Sequence, residues 1–112
     1  MVVAERGRLE QILLNLFQNA LEAMDGLLDA ELCVEVATVG EGVDVLVSDS
    51  GVGLAAEVAE ALFTPFMTTK PQGLGLGLII ARDIAVDFGG RLRPDMTVTR
   101  GARFVLSLRS AL

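Results

Sequence analysis

Residues 8–24 read RLEQILLNLFQNALEAM. The run has no glycine or proline and is rich in residues that lose little side-chain freedom in a helix. Leu9, Ile12, Leu13, Leu16, Ala20 and Met24 recur at helical steps and gather on one broad face. Gly26 follows as a stop. A helix with such a face needs an apolar layer to lie on, and the next residues supply it. Residues 32–38 (LCVEVAT) and 43–49 (VDVLVSD) read as strands, the second placing Val43, Val45 and Val47 on one side. VGEG, residues 39–42, reads as their hairpin connection.

Further along, Ser48 to Gly53 forms a turn and residues 54–62 suit a short helix. Pro65, Pro71 and the paired Thr68 and Thr69 mark a loop over residues 63–73. A second long helix is predicted over 76–88, closed by Gly89 and Gly90. Two more strands follow near 91–99 and 102–109; in the latter, Phe104, Leu106 and Leu108 alternate with Arg103, Val105 and Ser107. The order predicts an α/β (α+β) fold, a two-layer sandwich with helices on one face of a mostly antiparallel mixed sheet. The other face is then wet or covered by something else.

A length of 112 residues fits one domain over 1–112. The chain is 52% hydrophobic, with a formal charge of -6. That balance argues against nucleic acid as a partner, which needs a basic surface. Cys33 lacks a partner for an internal disulfide and is expected to be a buried small hydrophobe in a reducing, cytoplasmic setting. MVVAERGRLE does not have a signal-peptide pattern. No stretch approaches the roughly 20 apolar residues of a spanning helix, so no membrane contact is expected from this segment.

Residues 72–81 read QGLGLGLIIA. Gly73, Gly75 and Gly77 are spaced by two, and Leu78 stands where a dinucleotide fingerprint has its third glycine. A phosphate loop of the G-K-[ST] kind is also missing. The glycines have two readings. They are a flexible helix cap, or an amide-rich loop whose helix start faces a phosphate, with Lys70 in reach. Asn15 and Asn19, one helical turn apart at the edge of the apolar arc, either bond nearby backbone or offer amide oxygens to Mg2+. Asp49 begins DSGVG and either shapes an Asx turn or accepts a hydrogen bond from an exocyclic amine.

Taken in order, these elements resemble the catalytic ATP-binding domain of sensor histidine kinases, in the superfamily of gyrase B, Hsp90 and MutL. RLEQILLNLFQNALEAM resembles the N box and DSGVG the first glycine box; LFTPFMTTK resembles the F box and GLGLGL the second glycine box. FGGRL and GARF resemble the closing elements. PFMTTK with a short lid is most similar to the nitrogen- and dicarboxylate-sensor kinases.

The resemblance implies ATP and Mg2+ as ligands and the Bergerat-type ATP-binding fold. It makes Asn19 the Mg2+ ligand, with Asn15 at the phosphate–metal region and both catalytic together with Lys70. It makes Asp49 the adenine-binding carboxylate, with Gly51 and Gly53 shaping that end. Phe63 and Phe66 become lid anchors. Thr68, Thr69, Lys70, Gly73, Leu74, Gly75, Leu76 and Gly77 approach the nucleotide.

Related gyrase-type ATPases carry a water-activating glutamate where this chain has Asn15. An amide cannot serve as a base, so phosphoryl transfer to an external nucleophile is expected rather than hydrolysis. The chain has no histidine, so the acceptor lies on a separate dimerisation domain, and a response regulator is an indirect partner. The resemblance also implies a strand and helix ahead of residue 1, and so an N-terminally partial domain prone to self-association. The natural setting is the cytoplasm, including the cytoplasmic part of a membrane-bound sensor. Ala102 replaces a frequent family threonine, which removes a hydroxyl contact near the adenine end. The rival readings are a non-catalytic nucleotide-gated interaction module and a serine-directed kinase of the anti-sigma type.

Overall fold

The computed structural model describes residues 6–51, 76–98 and 100–109. Within them the order is α1 (Arg6–Ala23), β1 (Leu32–Val39), β2 (Gly42–Asp49), α2 (Leu76–Asp87), β3 (Arg91–Pro94) and β4 (Ala102–Arg109). The four strands form one sheet in the order β1-β2-β4-β3, and every pairing is antiparallel. The helix expected over 54–62 and the loop over 63–73 lie outside the described residues.

Period-two alternation divides the sheet into an apolar face under the helices and a polar face away from them. Val45, Val47, Phe104, Leu106, Leu108 and Leu92 point to the helices, where Ile12 and Leu16 of α1 and Leu78, Ala81, Ile84, Ala85 and Phe88 of α2 meet them. Ile12, Leu16 and Leu106 are sealed from solvent. Truncating one of these leucines to alanine costs about 2–5 kcal/mol. The opposite face carries Asp44, Ser48, Arg103, Ser107, Arg91 and Arg93, which share rows of the register. Val105 lies on that face yet is only 3% exposed. Arg93 pairs with it across the strands, and Arg103 stands two residues away along β4. Arginine stems of this kind cover apolar surface while their heads stay wet.

The ends of the elements follow their sequence signals. Gly26 and Gly89 take φ of 83° and 76°, the left-handed caps that stop α1 and α2. Gly40, at φ 57°, turns the β1–β2 hairpin. β3 is shorter than the strand expected over 91–99. It stops at Pro94, and Asp95 then accepts hydrogen bonds from the Thr97 backbone N–H (2.9 Å) and hydroxyl (2.6 Å), closing a local turn.

Cys33 is exposed, against the expectation of burial. The cause is positional: β1 is an edge strand, and the alternation puts Cys33 on the helix-free face, opposite Ser48. Even its inward-facing row is uncovered, with Leu32, Val34 and Val36 at 39%, 46% and 70% exposure. The two helices pack chiefly over β2, β3 and β4. They are tied to each other at one end, where Arg8 pairs with Asp87 at 2.6 Å and lies 5.4 Å from the Phe88 ring centroid.

Candidate functional site

The polar residues singled out in the sequence lie along α1 and at the strand and helix ends beside it. Asn15 is half-buried. Its Nδ2 donates to the Gly77 carbonyl at 3.0 Å, and its Oδ1 accepts from Gln11 Nε2 at 2.8 Å. Gly77 is in the first turn of α2, where backbone N–H groups have no intrahelical acceptor. The amide of Asn15 therefore stitches the middle of α1 to the donor-rich start of α2. Asn19, one turn further along α1, is also half-buried. Both asparagines thus occupy the margin of the apolar arc, as their spacing predicts. The backbone-bonding reading of Asn15 is realised in the Gly77 contact, and one hydrogen and one lone pair of its amide remain for a ligand.

Asp49 closes β2 and is 6% exposed. Its Oδ1 accepts the Gly51 backbone N–H at 2.8 Å, the Asx turn that the sequence allows. The turn is held from two sides. Ser50 donates its backbone N–H to the Glu31 carbonyl (3.1 Å), and its hydroxyl accepts the Glu31 N–H (2.8 Å). A β-carbon on Gly51 would stand 2.5 Å from the Ala23 carbonyl oxygen, so only glycine lets this turn touch the last residue of α1. On the other side Gly101 approaches the Asp49 backbone as closely, and Ala102 pairs with Asp49 in the register. The carboxylate keeps its second oxygen and is fixed in direction by the turn.

Helix α1 is thus a wall with Asn15 and Gly77 at one station and Asp49 and Gly51 at another. Asn15 and Ala23 are separated by about 12 Å along the axis. Gly53, Phe63, Phe66, Thr68, Thr69, Lys70, Gly73, Leu74 and Gly75 lie outside the described residues, as does the side chain of Leu76. Gln11 was not singled out in the sequence, and Gly101 was read only as the first residue of GARF. The i,i+4 step from Gln11 to Asn15 is a signal for the first; nothing local marks the second, whose partner is 52 positions away by numbering (101 less 49). A cleft of about 690 Å³ opens at the opposite end of β2, by Gly42, Asp44, Gly90, Arg91 and Arg109, and takes in none of these residues.

An α/β sandwich with its polar groups ranged along one helix, between a strand-end carboxylate and a glycine-led helix, has the architecture of a nucleotide-binding kinase domain. Residues 4–112 match the family described as histidine kinase-, DNA gyrase B- and HSP90-like ATPase, and the chain belongs to that family. It is 43% identical over 109 residues to the C4-dicarboxylate transport sensor protein DctB of Rhizobium meliloti, covering 97% of this chain and 17% of that protein. Among solved structures, the catalytic domain of histidine kinase ThkA superposes with a TM-score of 0.84 at 36% identity, over 96% of this chain and 69% of that one. Full-length ShkA in complex with AMPPNP gives 0.81 at 29% identity, over 98% of this chain and 23% of that one. The chain therefore spans about a fifth of the length of the curated relatives it matches. It is a histidine-kinase-type ATP-binding catalytic domain, and the acceptor histidine is not part of it.

Proposed function

We propose that this chain, as one domain, holds ATP with Mg2+ along α1 and presents the γ-phosphoryl group to a histidine on a separate helical domain. The observation that carries this reading is the Asn15–Gly77 hydrogen bond, which sets an asparagine-bearing face against the open amides of a glycine-led helix. Asp49, directed by its own turn, recognises the adenine amino group at the other station. Lys70 and the Gly73, Gly75 and Gly77 segment complete the phosphate end, with Phe66, Thr68, Thr69, Leu74 and Leu76 beside it, and Gly53 borders the base.

The oxygen donors at the α1 station are side-chain amides, a hard and uncharged set that suits Mg2+ between phosphate oxygens. Asn19 is assigned as the protein ligand. When bound, the metal neutralises charge on the phosphates. Asn15 cannot abstract a proton from water, so the residues favour positioning for an incoming nucleophile over hydrolysis. The natural protein is a multidomain sensor whose catalytic part faces the cytoplasm, and a response regulator takes the phosphoryl group onward. Among the described residues no helix is long and apolar enough to cross a membrane.

The test is a titration of the 112-residue chain with ATP analogues, with and without Mg2+. Saturable binding that Mg2+ strengthens is expected, and Asn19→Ala should abolish the Mg2+ increment while sparing metal-free binding. Addition of a helical acceptor domain should then yield acid-labile, base-stable phosphate. Binding without transfer to any acceptor would favour an interaction module, and acid-stable phosphate would favour a serine-directed kinase.

A further inference from the structure

Gln11 belongs to none of the roles assigned above, yet it holds Asn15. It stands four residues earlier on α1, and its Nε2 reaches Asn15 Oδ1 at 2.8 Å while Asn15 Nδ2 reaches the Gly77 carbonyl at 3.0 Å. The Gly77 carbonyl, which can only accept, sets the sense of the amide, and Gln11 complements it. Its oxygen edge is turned back toward the start of α1, and its nitrogen edge crosses to α2. Asn19 lies one turn away in the other direction. Flipping the amide would set its oxygen against the Gly77 carbonyl, a mismatch at a half-buried position, while the exposed Gln11 amide can turn to present its own oxygen.

We propose that Gln11 is a positioning residue: by donating to Asn15 Oδ1 it steadies the amide in the sense set by the Gly77 carbonyl, donor edge toward the first turn of α2, so that Asn15 offers an N–H rather than an oxygen to a phosphate there. This rests on the reading of that station as the phosphate end. The Gly77 carbonyl defines the amide only while α2 stays docked. Gln11, on the same helix as Asn15, adds a second bond that limits the motion of the amide in that sense. Asn15 and Asn19 are then unlike in role, the first a donor to the ligand and the second an oxygen ligand to the metal.

The test uses the whole chain and four variants: Gln11→Ala, Gln11→Glu, Gln11→Lys, and Gln18→Glu at an exposed position of α1 as the control for added charge. Without nucleotide, NMR should show the Asn15 side-chain N–H2 pair well separated and slow to exchange in the parent. Gln11→Ala and Gln11→Glu should move the two shifts toward those of a free amide and speed their exchange with water roughly fivefold or more, the loss of one neutral hydrogen bond. Gln11→Lys, which keeps a donor, should retain it. In binding, Gln11→Ala should weaken an ATP analogue roughly fivefold and leave adenosine unchanged. An Asn15 pair indifferent to Gln11→Ala and Gln11→Glu overturns the proposal, as does equal loss for adenosine and the triphosphate, or a Gln18→Glu effect as large as that of Gln11→Glu. If the parent binds no nucleotide, the nucleotide reading fails, and the NMR comparison alone still decides whether Gln11 orients Asn15.

Discussion

Gly101 leaves no room for a β-carbon beside Asp49. An atom added there would overlap the Asp49 carbonyl oxygen, and the backbone stands at φ 69°. Sterics and left-handed strain therefore act together at the position that backs the carboxylate. Gly101→Ala should cost about 2–4 kcal/mol in urea unfolding. Gly26→Ala is the comparison: it has a similar φ of 83° but nothing within 4 Å, and should cost about 1 kcal/mol. Equal losses for the two would show that contact with Asp49 contributes nothing.

Asp49→Asn keeps an oxygen for the Gly51 N–H but removes the charge that favours an exocyclic amine. The fold should survive, and affinity for ATP analogues should drop by roughly tenfold or more with or without Mg2+. Isothermal titration of ATP against GTP gives the second arm. A parent chain that binds both equally would remove Asp49 from adenine recognition.

Ala102 faces Asp49 across the β2–β4 register and is 8% exposed. Ala102→Thr puts a hydroxyl and a methyl beside the carboxylate on a strand where β-branching is favoured. Nucleotide affinity should rise a few-fold, the worth of one neutral hydrogen bond of about 1 kcal/mol. A fall in affinity with an unchanged melting temperature would mean that the added group blocks the base.

Asp95 is held below its usual pKa of 3.8, first by the Thr97 hydroxyl, then by the Thr97 backbone N–H, with Arg103 and Arg93 adding to the effect. A lowered folded-state pKa gives stability that is complete above the unfolded value and lost as pH falls through the folded one. Asp95→Asn should therefore destabilise the chain at pH 6, and the difference from the parent should vanish well below pH 3.8. Parallel melting curves across that range would contradict the assignment.

The parts of the fold legible in the sequence are those with local causes. The apolar arc from Leu9 to Met24 marks α1, the alternation from Val43 to Val47 marks β2, and Gly26 and Gly89 mark the helix ends. Asn15, Asn19 and Asp49 stood out because polar groups on such elements need partners. Other features depend on relations between distant residues. The exposure of Cys33 follows from β1 being an edge, which alternation alone does not reveal. The backing of Asp49 by Gly101 arises only when β4 inserts between β2 and β3. β3 ends at Pro94, short of the strand expected over 91–99, because Asp95 and Thr97 close a local turn there.

The two margins of the sheet are built differently. β3 is four residues long, with Arg91 and Arg93 along it and Pro94 at its end, features that deter pairing with another chain. β1 is eight residues long and has neither proline nor a basic residue. Among the described residues, β1 is therefore the margin at which a further strand would pair in preference to the arginine-bordered one.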